Sequence, residues 1–127
     1  MRTKIRISCG RFTFEAELAN TPTSNKIINE FPLEGNANIW GEEIFFPVSV
    51  AAKAEKSAKE EVDPGTIAYW PPGKAFCIFF GPTPVSNSQK PKAYSPVNII
   101  GKISGDLEDL KTISQGERIK VDLLSET

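Results

Sequence analysis

The sequence contains no histidine. That removes the commonest general base, the Ser-His and Cys-His nucleophilic pairs, and histidine-based zinc sites. Any chemistry would have to run on carboxylates, lysine, arginine, tyrosine or backbone dipoles. Cysteine is nearly as scarce: Cys9 and Cys77 stand far apart, outside any CxxC motif, in apolar strand-like runs. They read as buried thiols rather than as a disulfide or redox pair. Charge of one sign is also missing. Fifteen Lys and Arg face sixteen Asp and Glu, a formal net charge of -1. This leaves no electrostatic footprint for nucleic acid or an anionic membrane surface. No apolar run is long enough to span a bilayer, and the opening "MRTKIRISCG" lacks the apolar core of a signal peptide, so the expected location is the cytoplasm. "VNIIGKISG" carries a Gly-Lys without P-loop spacing, and "LEDL" and the Lys/Glu run have no metal-ligand spacing; no cofactor is expected.

What the chain does have is alternation. "KIRISC" places Ile5, Ile7 and Cys9 on one face, and "FTFEAEL" places Phe12, Phe14, Ala16 and Leu18 on one face. With Gly10-Arg11 between them they predict an antiparallel hairpin with one wet side. Ile119, Val121 and Leu123 repeat the pattern near the end. "NTPTSNKIINEFP" predicts a short helix over Thr23–Phe31, capped by Thr21, with Pro22 at its first position and Pro32 as its stop. "ANIWGEEIFFPVSV" predicts one or two strands with a kink at Gly41. "AAKAEKSAKEE" has helix propensity but no apolar face, and reads as a solvated excursion. "TIAYW", "AFCIFF" and "VNIIGKI" predict strands, "TPVSNSQKPKAYSP" a polar surface loop, and "GDLEDLK" a helical turn capped by Ser104 or Asp106. Seven or eight short strands and one helix in 127 residues predict a single all-β domain over residues 1–127, closed or nearly closed into an antiparallel barrel.

The segment Gly65–Pro84, "GTIAYWPPGKAFCIFFGPTP", departs from that alternation. In "AFCIFF" both faces are apolar: Ala75, Cys77 and Phe79 one way, Phe76, Ile78 and Phe80 the other. The strand is therefore covered on both sides, or one face is a pocket or a partner surface.

"WGEEIFF" (40–46), "DPGTIAYWPPGKAFCIFFGPTP" (63–84) and "VNIIGKI" (97–103) resemble the signature blocks of the minimal cyclophilin-like family of archaeal and bacterial proteins. The resemblance spans nearly the whole chain. It implies a closed eight-stranded antiparallel β-barrel with one short helix. Cyclophilins are prolyl isomerases that use an apolar proline pocket and an arginine beside the twisting amide. Here the arginines are Arg2, Arg6, Arg11 and Arg118, and none falls in "WGEEIFF", where the resemblance would put the catalytic one. Lys74 is not a planar donor fork.

On the strands that the resemblance places around a cyclophilin-type groove, the candidate ligand-binding residues are Trp40, Glu42, Tyr69, Trp70, Phe79, Phe80 and Asn98. In an uninterrupted strand Glu42 shares a face with Trp40 and Ile44 while Glu43 points the other way, so Glu42 is the pocket candidate, set against a solvated edge residue. Asn98, polar in an apolar run, either pins a neighbouring backbone or faces a ligand. Three functions are expected; the absent arginine and histidine favour the first over the second, and the two apolar faces of "AFCIFF" fit the first and the third alike. The first is a binding module with an aromatic groove for a small molecule or extended peptide. The second is a weak prolyl isomerase lacking the usual arginine, and the third a homodimer joined through the apolar strand face.

Overall fold

The computed structural model describes residues 2–124. Strands β1 (Thr3–Cys9) and β2 (Phe12–Leu18) form the expected hairpin, with Cys9 opposite Phe12 across Gly10-Arg11. Helix α1 (Pro22–Asn29) follows. The Thr21 hydroxyl accepts from the Ser24 N–H at 3.0 Å and the Ser24 hydroxyl accepts from the Thr21 N–H at 2.9 Å, a capping box that satisfies two otherwise orphaned donors. The remaining strands are β3 (Leu33–Asn36), β4 (Asn38–Ile39), β5 (Glu43–Pro47), β6 (Lys59–Glu61), β7 (Thr66–Trp70), β8 (Ala75–Phe79), β9 (Lys92–Ile103) and β10 (Arg118–Leu123). A 3₁₀ turn at Pro71–Gly73 joins β7 to β8. A second at Glu108–Thr112 follows Asp106, whose carboxylate accepts from the Glu108 N–H.

The closed eight-stranded barrel expected from the sequence is not what forms. The described residues form ten strands in one sheet, in the order β3-β10-β1-β2-β9-β7-β8-β5-β4, with β6 paired to β9 off that path. The path is open, because no ladder joins its ends, β3 and β4. The reason is geometric. β3 and β4 are separated only by Ala37, and a chain cannot pair antiparallel with itself without a turn of at least about two residues. Each instead takes a different neighbour, β3 pairing with β10 and β4 with β5. The strand count rises because "LEGN" and "KEE" carry too little alternation to read as strands, and gain their ladders from β10 and β9. β9 also begins earlier than "VNIIGKI", taking in "KAYSP" from the segment that reads as loop.

The central strands bury both faces. Ile44, Phe46, Ile67, Tyr69, Phe76 and Ile78 enter the main core with Ile5, Ile7, Leu18, Ile100 and Val121. The opposite face of the same strands holds a smaller cluster of Ala68, Ala75, Cys77 and Phe79, closed over by Val62, Ala93 and Val97. Both cysteines are buried and free, one in each cluster. Among the described residues no helix is long and apolar enough to cross a membrane.

Candidate functional site

Trp40 and Glu43 face each other across the two-residue turn Gly41-Glu42. The Trp40 N–H donates to the Glu43 carbonyl at 2.9 Å, and the Glu43 N–H donates to the Trp40 carbonyl at 3.1 Å. Gly41 has φ +59, as a type II′ hairpin turn requires at its first central position. The turn resets the alternation. Directly opposed residues of a hairpin put their side chains on the same face, so Glu43, not Glu42, joins Trp40. Along β5, Glu43 and Phe45 then face the smaller cluster while Ile44 and Phe46 enter the main core. Glu42 stays half-buried in the turn, its N–H donating to the Pro82 carbonyl at 3.0 Å.

Above the smaller cluster lies a cavity of about 320 Å³ walled by Trp40, Glu43, Phe45, Trp70, Ala93, Tyr94 and Val97. Each wall has its own element. Trp70 ends β7, its indole lying over Gly73, where a Cβ would meet the ring at 2.6 Å. Its Nε1 donates to the Ser95 hydroxyl at 2.7 Å, which fixes the indole. β9 supplies Ala93, Tyr94 and Val97. Tyr94 stands between the two tryptophans, 6.4 Å from Trp40 at 71° and 6.2 Å from Trp70 at 87° between ring planes. Tyr94 meets each tryptophan edge to face rather than in a stack. Tyr94 is 72% exposed and forms the open rim.

Glu43 is 6% exposed. Among the described residues no ion pair reaches it, and the Cys77 thiol near it donates to the Ala75 carbonyl at 3.7 Å. Burial raises its carboxyl from an ordinary 4.5 to about 7, against a small lowering by Cys77. Burial, and then the Glu43 charge, push the Cys77 thiol well up.

Of the residues singled out in the sequence, Trp40 and Trp70 stand in the cavity wall. Tyr69 points into the main core on the other face, its hydroxyl donating to the Val50 carbonyl. It also touches a second, shallow cavity of about 430 Å³ lined by Lys26, Lys53, Pro71 and Lys74. Phe79 and Phe80 are buried in the two clusters. Asn98 is wholly buried and holds the excursion in place: its Oδ1 accepts from the Glu55 N–H at 2.8 Å, and its Nδ2 donates to the Lys53 carbonyl at 2.9 Å and the Thr23 hydroxyl at 3.0 Å. Sequence reasoning missed Glu43, Phe45, Tyr94, Ala93 and Val97. The available signals were the Gly41 turn and a lone tyrosine in a polar stretch. None of the four arginines lines either cavity: Arg2 pairs with Glu17, Arg11 lies over Phe12, Arg118 pairs with Glu34, and Arg6 sits in β1 opposite Glu15 and Asp122. Among the described residues no group of His, Cys, Asp or Glu could hold a metal ion.

A family model described as "Cyclophilin-like" matches residues 3–122. The solution structure of a hypothetical protein from Archaeoglobus fulgidus is 37% identical, covers 97% of this chain and 95% of that one, and superposes with a TM-score of 0.82. None of the curated proteins matches.

Proposed function

The chain belongs to the cyclophilin-like family, and on that premise we propose that it is a binding module whose cavity between β5, β7 and β9 takes a small molecule or one side chain of an extended peptide. The observation that carries the reading is the cavity itself. At about 320 Å³ it falls in the size range of ligand pockets, and it is mostly apolar with one buried ionisable group. A core would fill such a space, and an exposed ring such as Tyr94 would not be left at its rim.

Prolyl isomerisation fits this site less well. A twisting X-Pro amide needs a donor aimed at the proline nitrogen, and such donors are typically worth about 10²–10³ in rate. The one formal charge available in the wall is an acceptor, Glu43, and no arginine lines the cavity. A groove that only holds proline accelerates nothing. The free, buried Cys9 and Cys77 fit a reducing compartment, and we place the module in the cytoplasm.

The test is a chemical-shift titration of isotope-labelled protein with a panel of small organic molecules and X-Pro peptides. Saturable shifts are expected at Trp40, Trp70, Tyr94 and Val97, with no accelerated cis/trans exchange in the peptides. Saturable shifts mapping elsewhere, or exchange as fast as ordinary cyclophilins produce, would overturn the reading.

A further inference from the structure

We propose that the ligand of this cavity carries a methylated ammonium group, held by Trp40, Trp70 and Tyr94 and paired with the Glu43 carboxylate. The inference rests on the cavity being a ligand site and names what that site selects.

Three observations converge on it. First, the ring geometry is that of a box. Tyr94 is close to perpendicular to both tryptophans at 6.2 and 6.4 Å, and an onium ion placed among such walls sits within cation–π range of several rings at once. Trp, the best of the cation–π partners, supplies two of the three, and the Trp70 hydrogen bond to Ser95 holds one in place.

Second, among the described residues Glu43 is a buried carboxyl with no cation paired to it. An unpaired buried carboxylate is expensive, and structural ones are paired. Lysines and arginines elsewhere on the molecule find carboxylates on the surface, at Glu17, Glu34, Glu60, Asp63 and Glu108. None is brought to Glu43. The missing partner is supplied by the ligand.

Third, the other side chains of the wall reject a primary ammonium. A –NH₃⁺ group needs three acceptors, and apart from Glu43 the lining offers Phe45, Ala93 and Val97 with the Tyr94 hydroxyl at the rim. Methylation removes that demand and gives the apolar wall something to pack against. The shared chemistry of choline-like small molecules and methylated lysine side chains satisfies all three conditions.

The experiment is a tryptophan-fluorescence titration at pH 8 with choline and with its neutral isostere 3,3-dimethylbutan-1-ol. Choline is expected to bind saturably, at least about tenfold tighter than the alcohol. Glu43→Gln is expected to cut that preference severalfold, the ring walls keeping the remainder. Tyr94→Ala is expected to weaken choline about tenfold; its exposed position makes it a safe change for folding. Equal binding of the two probes, or a preference undiminished in a folded Glu43→Gln, would overturn the cation inference and leave the cavity reading standing. No saturable binding of either probe would overturn the cation inference, and the panel titration then decides the cavity reading. A third arm with an N-acetyl trimethyllysine amide assigns the source: tighter binding than choline points to a peptide, equal or weaker binding to a small molecule, and either upholds the onium site.

Discussion

Trp40 and Glu43 exchange both of their backbone hydrogen bonds across Gly41-Glu42, at 2.9 and 3.1 Å, and so share one face of the sheet. This single pairing brings an indole and a buried carboxyl to the same cavity. It depends on Gly41, whose φ of +59 disfavours other residues and whose missing Cβ leaves room for the Thr83 backbone and Pro84.

Gly41→Ala therefore tests the turn. A Cβ there would stand 2.8 Å from both Thr83 Cα and Pro84 Cδ. Left-handed backbone costs an L-residue roughly 1–2 kcal/mol before any clash. Stability is expected to fall by about 2 kcal/mol or more in urea denaturation, with Trp40 fluorescence shifted. A variant of unchanged midpoint and spectrum would show that the turn does not hold Trp40.

Glu43 sets a pH dependence of stability. Below about pH 4.5 the carboxyl is protonated in folded and unfolded chains alike and costs nothing. Between there and about pH 7 only the unfolded chain releases the proton, so stability falls across that window and levels off above it. The loss is on the order of 3 kcal/mol. Glu43→Gln is expected to lack this fall and to be the more stable protein at pH 8. Parallel pH profiles of urea midpoint for the two proteins would count against a raised Glu43.

Asn98→Ala should free the 51–58 excursion without touching the cavity. Three hydrogen bonds disappear at once, and a cost of about 2 kcal/mol or more is expected. Faster amide exchange at Glu55 and tryptic cleavage after Lys53 or Lys56 would report the release. Ligand affinity at the Trp40–Trp70 cavity should not change; a large loss would make Asn98 part of the site.

The thiols should be silent. Burial raises Cys9 to about 11, with Glu117 adding to it, and burial raises the Cys77 thiol well above its ordinary value. Thiolates, not thiols, react. Neither cysteine is expected to react with an aromatic disulfide reagent at pH 8 until the protein unfolds, when two equivalents per chain should appear. Rapid reaction of one equivalent in the native protein would contradict this burial.

The sequence by itself determined the elements whose signals are local. The Gly10-Arg11 hairpin follows from two alternating runs around a tight-turn pair. Helix α1 follows from Thr21, Pro22 and Pro32, because capping and proline stereochemistry act within a few residues. The two apolar faces of "AFCIFF" were legible, and so were Trp40 and Trp70 as rings on strands near a groove. Tertiary structure decided what needs a distant partner. Leu33–Asn36 and Lys59–Glu61 become strands only through the hydrogen bonds that β10 and β9 supply. The sheet stays open because β3 and β4 abut at Ala37 and cannot pair with each other. Asn98 fits either a structural or a ligand role until the folded chain brings Glu55, Lys53 and Thr23 to it from 43 to 75 residues away. Glu42 and Glu43 differ by one position, and strand periodicity assigns them to faces only if the strand is unbroken. The Gly41 turn breaks it, and with a period of two, a shift of one residue exchanges the faces.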